Sequence, residues 1–395
     1  MSESDLDRSP SEDGGRPPAI LSWRNVAILS LLLVAGTVAI VLGALAVAWF
    51  GIYNVAASRG HVPTFEWFLA YGMRHSVIRA AADIEAPNLD RPDLVRLGAG
   101  HFHKGCAFCH GAPGMPVNPV AQRMLPVPPN LATSMRPWQD RELFWIVKHG
   151  FKYTGMPSWV APERDDEIWA VAAFLKHMPR LDADTYRELV FGAVGQTEGL
   201  PTVSAEADVV LACGRCHGDL GTPPVSDLVP VLHGQPAEFL LASLKAYADG
   251  ARQSGIMQLL ASDLQDEDMQ LYARHYAALS APWQPPETVD AALVESGKAL
   301  AMGGVPESGV PPCVACHANP ATNYPRLAGQ PAAYLAGQLR LWKAGHGPAT
   351  TLGAMMAPIA QKLTDSQIDA VAAYYAALPP EPRRAADAEA SPAGE

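Results

Sequence analysis

All six cysteines of this chain fall in three copies of one short pattern: Cys106-Ala-Phe-Cys109-His110, Cys213-Gly-Arg-Cys216-His217 and Cys313-Val-Ala-Cys316-His317. Cys-x-x-Cys-His is the attachment signature of c-type haem. Two thiols about one helical turn apart can each form a thioether to one vinyl group of the same porphyrin, and the adjacent His then stands over the iron. From the chain's own Cys and His frequencies, chance supplies about 0.003 such motifs. Other chemistries fit the spacing poorly. Structural zinc needs two Cys/His pairs converging on one metal. A thiol–disulfide enzyme carries one Cys-x-x-Cys in a βαβ pattern, and disulfides across a two-residue gap close loops too small to stabilise much. The reading is three covalently attached haem c groups, held through Cys106, Cys109, Cys213, Cys216, Cys313 and Cys316, with His110, His217 and His317 on the irons.

The motifs sit in repeats. Val231-Leu-His-Gly-Gln-Pro-Ala-Glu-Phe-Leu240 matches Arg326-Leu-Ala-Gly-Gln-Pro-Ala-Ala-Tyr-Leu335 at an offset of 95, and the cysteines are offset by 100. Met257…Leu264…Tyr276-Ala-Ala-Leu279 matches Met356…Leu363…Tyr375-Ala-Ala-Leu378 at an offset of 99. The second and third units are therefore a duplicated pair with loops of unequal length. The first is a more distant relative, whose last helix is expected at Ile168–Leu175.

Each unit resembles a class I cytochrome c domain, and residues 183–380 resemble the dihaem cytochrome c4 family. The resemblance spans about residues 93–380. It implies an all-α fold: three tandem class I cytochrome c domains, each with its N- and C-terminal helices crossed beside the haem. It also implies that a Pro carbonyl accepts a hydrogen bond from each proximal His, at Pro129-Asn130-Leu131, Pro230-Val231-Leu232 and Pro325-Arg326-Leu327. That contact fixes the orientation of the imidazole ring. The N-terminal helix is recognisable in the third unit as Gly297-Lys298-x-Leu300 and blurred in the second.

A second axial ligand is expected later in each unit. Met156 lies in the loop Gly155-Met156-Pro157-Ser158-Trp159, which is similar to the ligand loop of class I domains, and Met257 and Met356 hold equivalent places in the duplicated pair. They follow the second cysteine of their units by 47, 41 and 40 residues. Met355 stands beside Met356, and only the repeat register separates the two. Met115, Met124, Met135 and Met178 read as packing or loop residues. His101 and His103, just before the first motif, read as packing or surface residues, with a distal-ligand role as the alternative.

The N-terminus adds a membrane anchor. Val26–Phe50 is 25 residues without a charge. At about 1.5 Å per residue it crosses a hydrocarbon core of ~30 Å. A signal peptide's apolar core is shorter, typically ~7–15 residues. Arg8, Arg16 and Arg24 precede the span and Arg59 follows it, a mild positive-inside bias. The expected organisation is a cytoplasmic tail (1–24), the anchor (25–51), a membrane-proximal linker or helix (52–92), cytochrome domains at 93–182, 183–283 and 284–380, and a disordered tail (381–395). Residues 52–92 carry Phe65, Trp67, Phe68 and Tyr71, which suit a helix lying on the membrane or packed on the first domain. Haem attachment on the outer side of the cytoplasmic membrane puts everything past residue 51 in the periplasm.

Among 395 residues, 49% are hydrophobic and 17% charged, with a net charge of −11. That balance excludes nucleic acid as a partner, because phosphate binding needs a basic face. No dinucleotide fingerprint, P-loop or metalloprotease helix is present. With His and Met on each iron no position is left open for substrate, and the thioether raises the potential. The chain reads as an electron carrier rather than an enzyme. It would work between a quinol-oxidising complex or dehydrogenase and a terminal oxidase or small carrier. Alternatives are a cytochrome subunit of a membrane-bound dehydrogenase and a dihaem-type peroxidase.

Overall fold

The computed structural model describes residues 23–192, 213–318 apart from 284, 287 and 289, and 323–380. The tail expected at 381–395, nearly all of the expected cytoplasmic tail and the N-terminal helix of the second unit lie outside these residues. The chain forms two bodies, residues 1–60 and 61–395.

The first body is built on one helix, α1 (Trp23–Trp49), starting a little before the apolar run and ending just inside it. Its mean hydropathy is 2.7 and none of its residues is buried, so length and composition alone would let it cross a membrane. Trp23 and Trp49 stand at its two ends, where indoles favour a membrane–water interface.

The second body is helical throughout. Among the described residues there is no strand, only two isolated bridges, Ala112–Met115 and Val305–Val310. Helix α2 (Pro63–Ala80) opens with Pro at its first turn, and within it only Val77 is buried. Phe65, Trp67, Phe68 and Tyr71 are exposed, while Arg74 reaches over the Trp138 ring at 5.5 Å.

The first cytochrome unit contains α3 (Pro92–Gly105), α4 (Ala107–His110), α5 (Leu131–Ser134), α6 (Asp140–His149) and α7 (Asp165–His177). Helix α3 buries Leu94, Val95, Leu97, Ala99 and Phe102 against the buried stripe Ala170–Leu175 of α7. The two backbones meet at Gly98, where a Cβ would run into the Ala170 carbonyl oxygen. Only glycine permits so close a crossing. Phe102 and Phe174 then pack with ring centroids 5.2 Å apart. Helix α6 begins with a capping box between Gln139 and Glu142 and ends at Gly150, whose φ of 57° suits glycine. Helix α8 (Ala183–Phe191), just past the expected 182/183 boundary, sends Tyr186 and Val190 into this same core.

The duplicated pair repeats the plan. The second unit contains α9 (Gly214–His217), α10 (Ala237–Ala248), α11 (Met257–Ala261) and α12 (Asp266–Ala278). The third contains α13 (Ala291–Gly303), α14 (Val314–His317), α15 (Ala332–Lys343), α16 (Thr351–Ala360) and α17 (Asp365–Ala377). Helices α13 and α17 cross as α3 and α7 do: a Cβ on Gly297 would meet the Ala370 carbonyl and the Tyr374 side chain. Each unit's last helix starts with a capping box in the pair, Gln265/Asp268 in α12 and Thr364/Gln367 in α17. The cores of the second and third units are separate clusters, around Leu240, Tyr272 and Tyr276 and around Leu300, Ile368 and Tyr375.

Candidate haem sites

Each Cys-x-x-Cys-His motif folds into a single helical turn, α4, α9 or α14. In each, the His amide donates to the carbonyl of the first Cys, at 3.0 Å in His110→Cys106, His217→Cys213 and His317→Cys313. That turn puts both thiols and the imidazole on one strip of backbone, the arrangement that thioether attachment requires. None of the six cysteines is joined in a disulfide.

The imidazoles are oriented identically. Nδ1 lies 3.0 Å from the Pro129 carbonyl in His110, 2.9 Å from Pro230 in His217 and 2.8 Å from Pro325 in His317. With Nδ1 donating to a carbonyl, the tautomer is set and Nε2 carries the lone pair, the state a metal ligand needs. Burial keeps the rings neutral: it lowers the pKa of all three, that of His217 to about 4. Burial likewise pushes the Cys106 and Cys213 thiols up to about 12 and raises Cys216 and Cys313. Neutral buried sulfurs match thioether attachment better than thiolate coordination of a bare metal. In the third unit Trp342 Nε1 is buried with no hydrogen-bond partner. Such a donor is costly unless paired, and a porphyrin carboxylate would pair it. The residues present therefore fit haem c.

The expected distal methionines lie before the last helix of each unit, in different local structure. Met156 lies half-buried in the loop between α6 and α7, its amide donating to Thr154 Oγ1 at 3.1 Å. Met257 opens α11, and Met355 and Met356 lie within α16. Met355 is 48% exposed and Met356 half-buried, and the Met355 sulfur accepts from Tyr324 Oη at 3.9 Å. His103 and His101 are packing residues: His103 Nδ1 pairs with Tyr186 Oη at 2.9 Å, and His101 is buried near Trp159.

The structure adds a polar cluster between the first and second units. Glu167, in the first turn of α7, is 3% exposed. Its carboxylate pairs with Arg164 at 3.0 Å and accepts from Trp159 Nε1, Ser254 Oγ and the Gly255 amide at 3.1, 2.5 and 2.6 Å. Arg164 also grips Asp166 through Nε and Nη2, at 2.9 and 2.8 Å. Nothing local in the sequence marks Glu167, because an acid in a first helical turn ordinarily faces solvent.

The chain is similar to known c-type cytochromes. Residues 93–175 match the family model described as cytochrome C oxidase, cbb3-type, subunit III. A "Thiosulfate dehydrogenase electron acceptor" of Thiomonas intermedia is 35% identical over 182 residues, covering 45% of this chain and 83% of that protein. A "Cytochrome c4" of Pseudomonas aeruginosa is 30% identical over 195 residues, covering 48% of this chain and 95% of that protein. The crystal structure of reduced recombinant cytochrome c4 from Pseudomonas stutzeri is 31% identical and covers 44% of this chain and 98% of its own, with a TM-score of 0.39.

Proposed function

Because this chain belongs to the family of dihaem class I cytochromes c that includes cytochrome c4, we propose that it is a three-haem member that carries electrons between redox proteins at the periplasmic face of a membrane. The observation that carries this reading is the threefold recurrence of one local site: a Cys-x-x-Cys-His turn whose imidazole Nδ1 is tied to a proline carbonyl. When bound, haem c supplies reversible one-electron chemistry at iron.

The chain's own residues do the rest. Cys106/Cys109, Cys213/Cys216 and Cys313/Cys316 hold the groups covalently, and His110, His217 and His317 offer Nε2. Met156, Met257 and Met356 would supply the remaining iron ligands, which would leave no site open to oxygen, peroxide or substrate. The proline carbonyls hold each ring, and the apolar cores keep water away. The repeats divide the chain into haem domains near 93–182, 183–283 and 284–380, with α8 packed on the core of the first, and α1 would anchor them.

The donor is proposed to be an oxidising enzyme of the kind the Thiomonas relative is named for, and the acceptor a terminal oxidase or small carrier. A net charge of −11 favours salt-sensitive docking to a basic face of the partner.

The test is a pyridine haemochrome assay with electron paramagnetic resonance on the full chain isolated from membranes. Three low-spin haems per chain are expected. Fewer than three, or a high-spin haem that turns over peroxide, overturns the reading.

A further inference from the structure

The two ligand loops assigned above to the first and second haems meet at one buried carboxylate. On the first-unit side, Trp159, three residues past Met156 in the same loop, donates its indole N–H to Glu167 Oε2. Its amide is held by the Lys148 carbonyl at 3.0 Å. On the second-unit side, Ser254 and Gly255 lie just before Met257. Ser254 Oγ donates to Glu167 Oε1 and accepts from the Met257 amide at 3.1 Å, so two hydrogen bonds link the carboxylate to the backbone of Met257. The Gly255 amide donates to Oε2, the oxygen that Trp159 uses. Gly255 packs against the Trp159 indole, and a Cβ there would run into that ring. Arg164 balances the charge and reaches the same loop through the Gln253 carbonyl at 3.3 Å.

The duplicated third unit offers an internal contrast. At the repeat offset of 99, Gly353 replaces Ser254 and Ala354 replaces Gly255. There Thr350 Oγ1 accepts from the Gly353 amide at 3.1 Å, so a residue of the loop itself caps α16. In the second unit the loop's own Ser254 Oγ takes the Met257 amide, and Glu167 of the first unit adds hydrogen bonds from Ser254 Oγ and the Gly255 amide.

We propose that Glu167 is a positioning residue for two haems at once: it closes the Met156 and Met257 loops together and so couples distal ligation in the first unit to that in the second. The inference rests on Met156 and Met257 being the axial ligands. A carboxylate that accepts several hydrogen bonds in a dry site holds its donors more strongly than a neutral acceptor would. Opening either loop strips at least one donor from a buried charge, so each loop resists opening while the other is closed.

The test uses the full holoprotein and reads the methionine–iron charge-transfer band, the rate of cyanide binding to the oxidised haems and the three reduction potentials. M156A and M257A come first, and each should remove about a third of the band, since one haem in three is changed. If either leaves the band intact, the ligand assignment falls and the coupling falls with it. With the assignment standing, E167A should speed cyanide binding roughly ten- to a hundredfold at two haems of three, the effect of losing a hydrogen bond to a charged group. It should also move two of the three potentials.

E167Q keeps an acceptor oxygen and should show a smaller acceleration at the same two haems. S254A removes one oxygen atom at a buried position and protects the test against misfolding of E167A; it should accelerate cyanide binding most at the haem of the second unit and less at that of the first. Wild-type cyanide rates at all three haems in S254A and E167Q, or equal acceleration at all three, overturn the proposal. A merely structural carboxylate would lower the melting temperature and leave the band and the potentials in place.

Discussion

The interfaces on the two sides of the second unit are built on different physics. Toward the first unit it joins a shared apolar core: Val229 is buried, and Val225, Leu228 and Cys216 pack against the cluster that contains Phe102 and Phe174. Charged groups close that seam. Asp93 accepts from Ser226 Oγ at 2.8 Å and from Arg91, which also reaches Asp227 at 2.8 Å, and Glu167 receives Ser254 and Gly255. Toward the third unit the seam is a pair of reciprocal clasps. Gln235 accepts from the Arg326 amide at 2.9 Å and donates to its carbonyl at 2.8 Å. Gln330 does the same to Val231, at 3.0 and 2.7 Å. Gln235 and Gln330 are equivalent in the repeat, as are Val231 and Arg326, so this seam obeys a pseudo-twofold and is self-complementary, as a dimer interface of identical partners is. The seam with the first unit has no such symmetry, because the two faces come from diverged sequences. A duplicated pair keeps a symmetric clasp of neutral amides, beside which Arg252 Nη2 donates to Tyr334 Oη at 3.2 Å, whereas a distant relative is held by apolar burial and buried charge.

The largest effect should come from breaking the apolar seam. Val229→Asp places a carboxylate in the shared core, where burying an unpaired charge costs about 3 kcal/mol or more. Denaturant unfolding followed at haem and tryptophan signals should show the first two units loosening before the third. If all three unfold together at the wild-type midpoint, the first and second units do not share a core.

Next in size are the clasps. Gln235→Ala leaves the amide and carbonyl of Arg326 without that partner, and Gln330→Ala does the same to Val231. Each should cost about 1–3 kcal/mol, the penalty for buried backbone groups that lose their hydrogen bonds. The pseudo-twofold adds a sharper requirement: the two costs should agree to within about 0.5 kcal/mol, the scatter usual between independent sites. Urea midpoints of the two variants decide it. A clasp that costs nothing while its mate costs about 2 kcal/mol would show that the contact is symmetric in shape only.

How much of this was legible in the sequence depends on how local the signal is. The attachment turns were, because two cysteines and a histidine within five residues determine their own geometry. The proline contacts followed from the resemblance, and the structure contains all three. The helix crossing was visible at Gly297, inside a family signature, but not at Gly98, where Leu97-Gly98-Ala99 looks like any small-residue step until Ala170 is brought against it. Gln235 and Gln330 were visible as a repeat, but a repeat does not say that its members face each other. Glu167 was illegible. Its partners Ser254 and Gly255 lie 87 and 88 residues away, and only tertiary packing turns a surface-type residue into a buried bridge. Residues Ala183–Phe191 carried no sign of the core that would take Tyr186 and Val190.

Acid should separate the two seams by a smaller margin. Burial alone would raise the Asp93 carboxyl, but the hydrogen bonds from Arg91 and Ser226 outweigh it and hold Asp93 below its ordinary value. A carboxylate with a lowered native pKa stabilises fully above its unfolded value of about 3.9 and loses that contribution as pH falls through the native one. The glutamine clasps do not titrate. Lowering the pH below about 4 should therefore weaken the seam of the first and second units selectively. Limited proteolysis across a pH series should separate the first unit from the second before it separates the second from the third. Asp93→Asn should flatten that pH dependence, and an unchanged profile in the variant would remove Asp93 from the explanation.

The smallest effect belongs to Lys104 and Asp263, paired at 2.9 Å across the same seam with the Asp263 side chain 66% exposed. An exposed pair of this kind contributes roughly 0.2–1 kcal/mol and is screened by salt. Asp263→Asn should lower the unfolding midpoint slightly at low ionic strength and leave it unchanged at about 1 M salt, where the screening length is ~3 Å. The apolar seam predicts the opposite salt response for Val229→Asp, whose cost is desolvation and persists at high salt. Measuring both variants in the same salt series separates the two contributions within one interface. If Asp263→Asn retained its full effect at high salt, the pair would be acting as part of the buried network around Glu167 and Arg164 rather than as a surface contact.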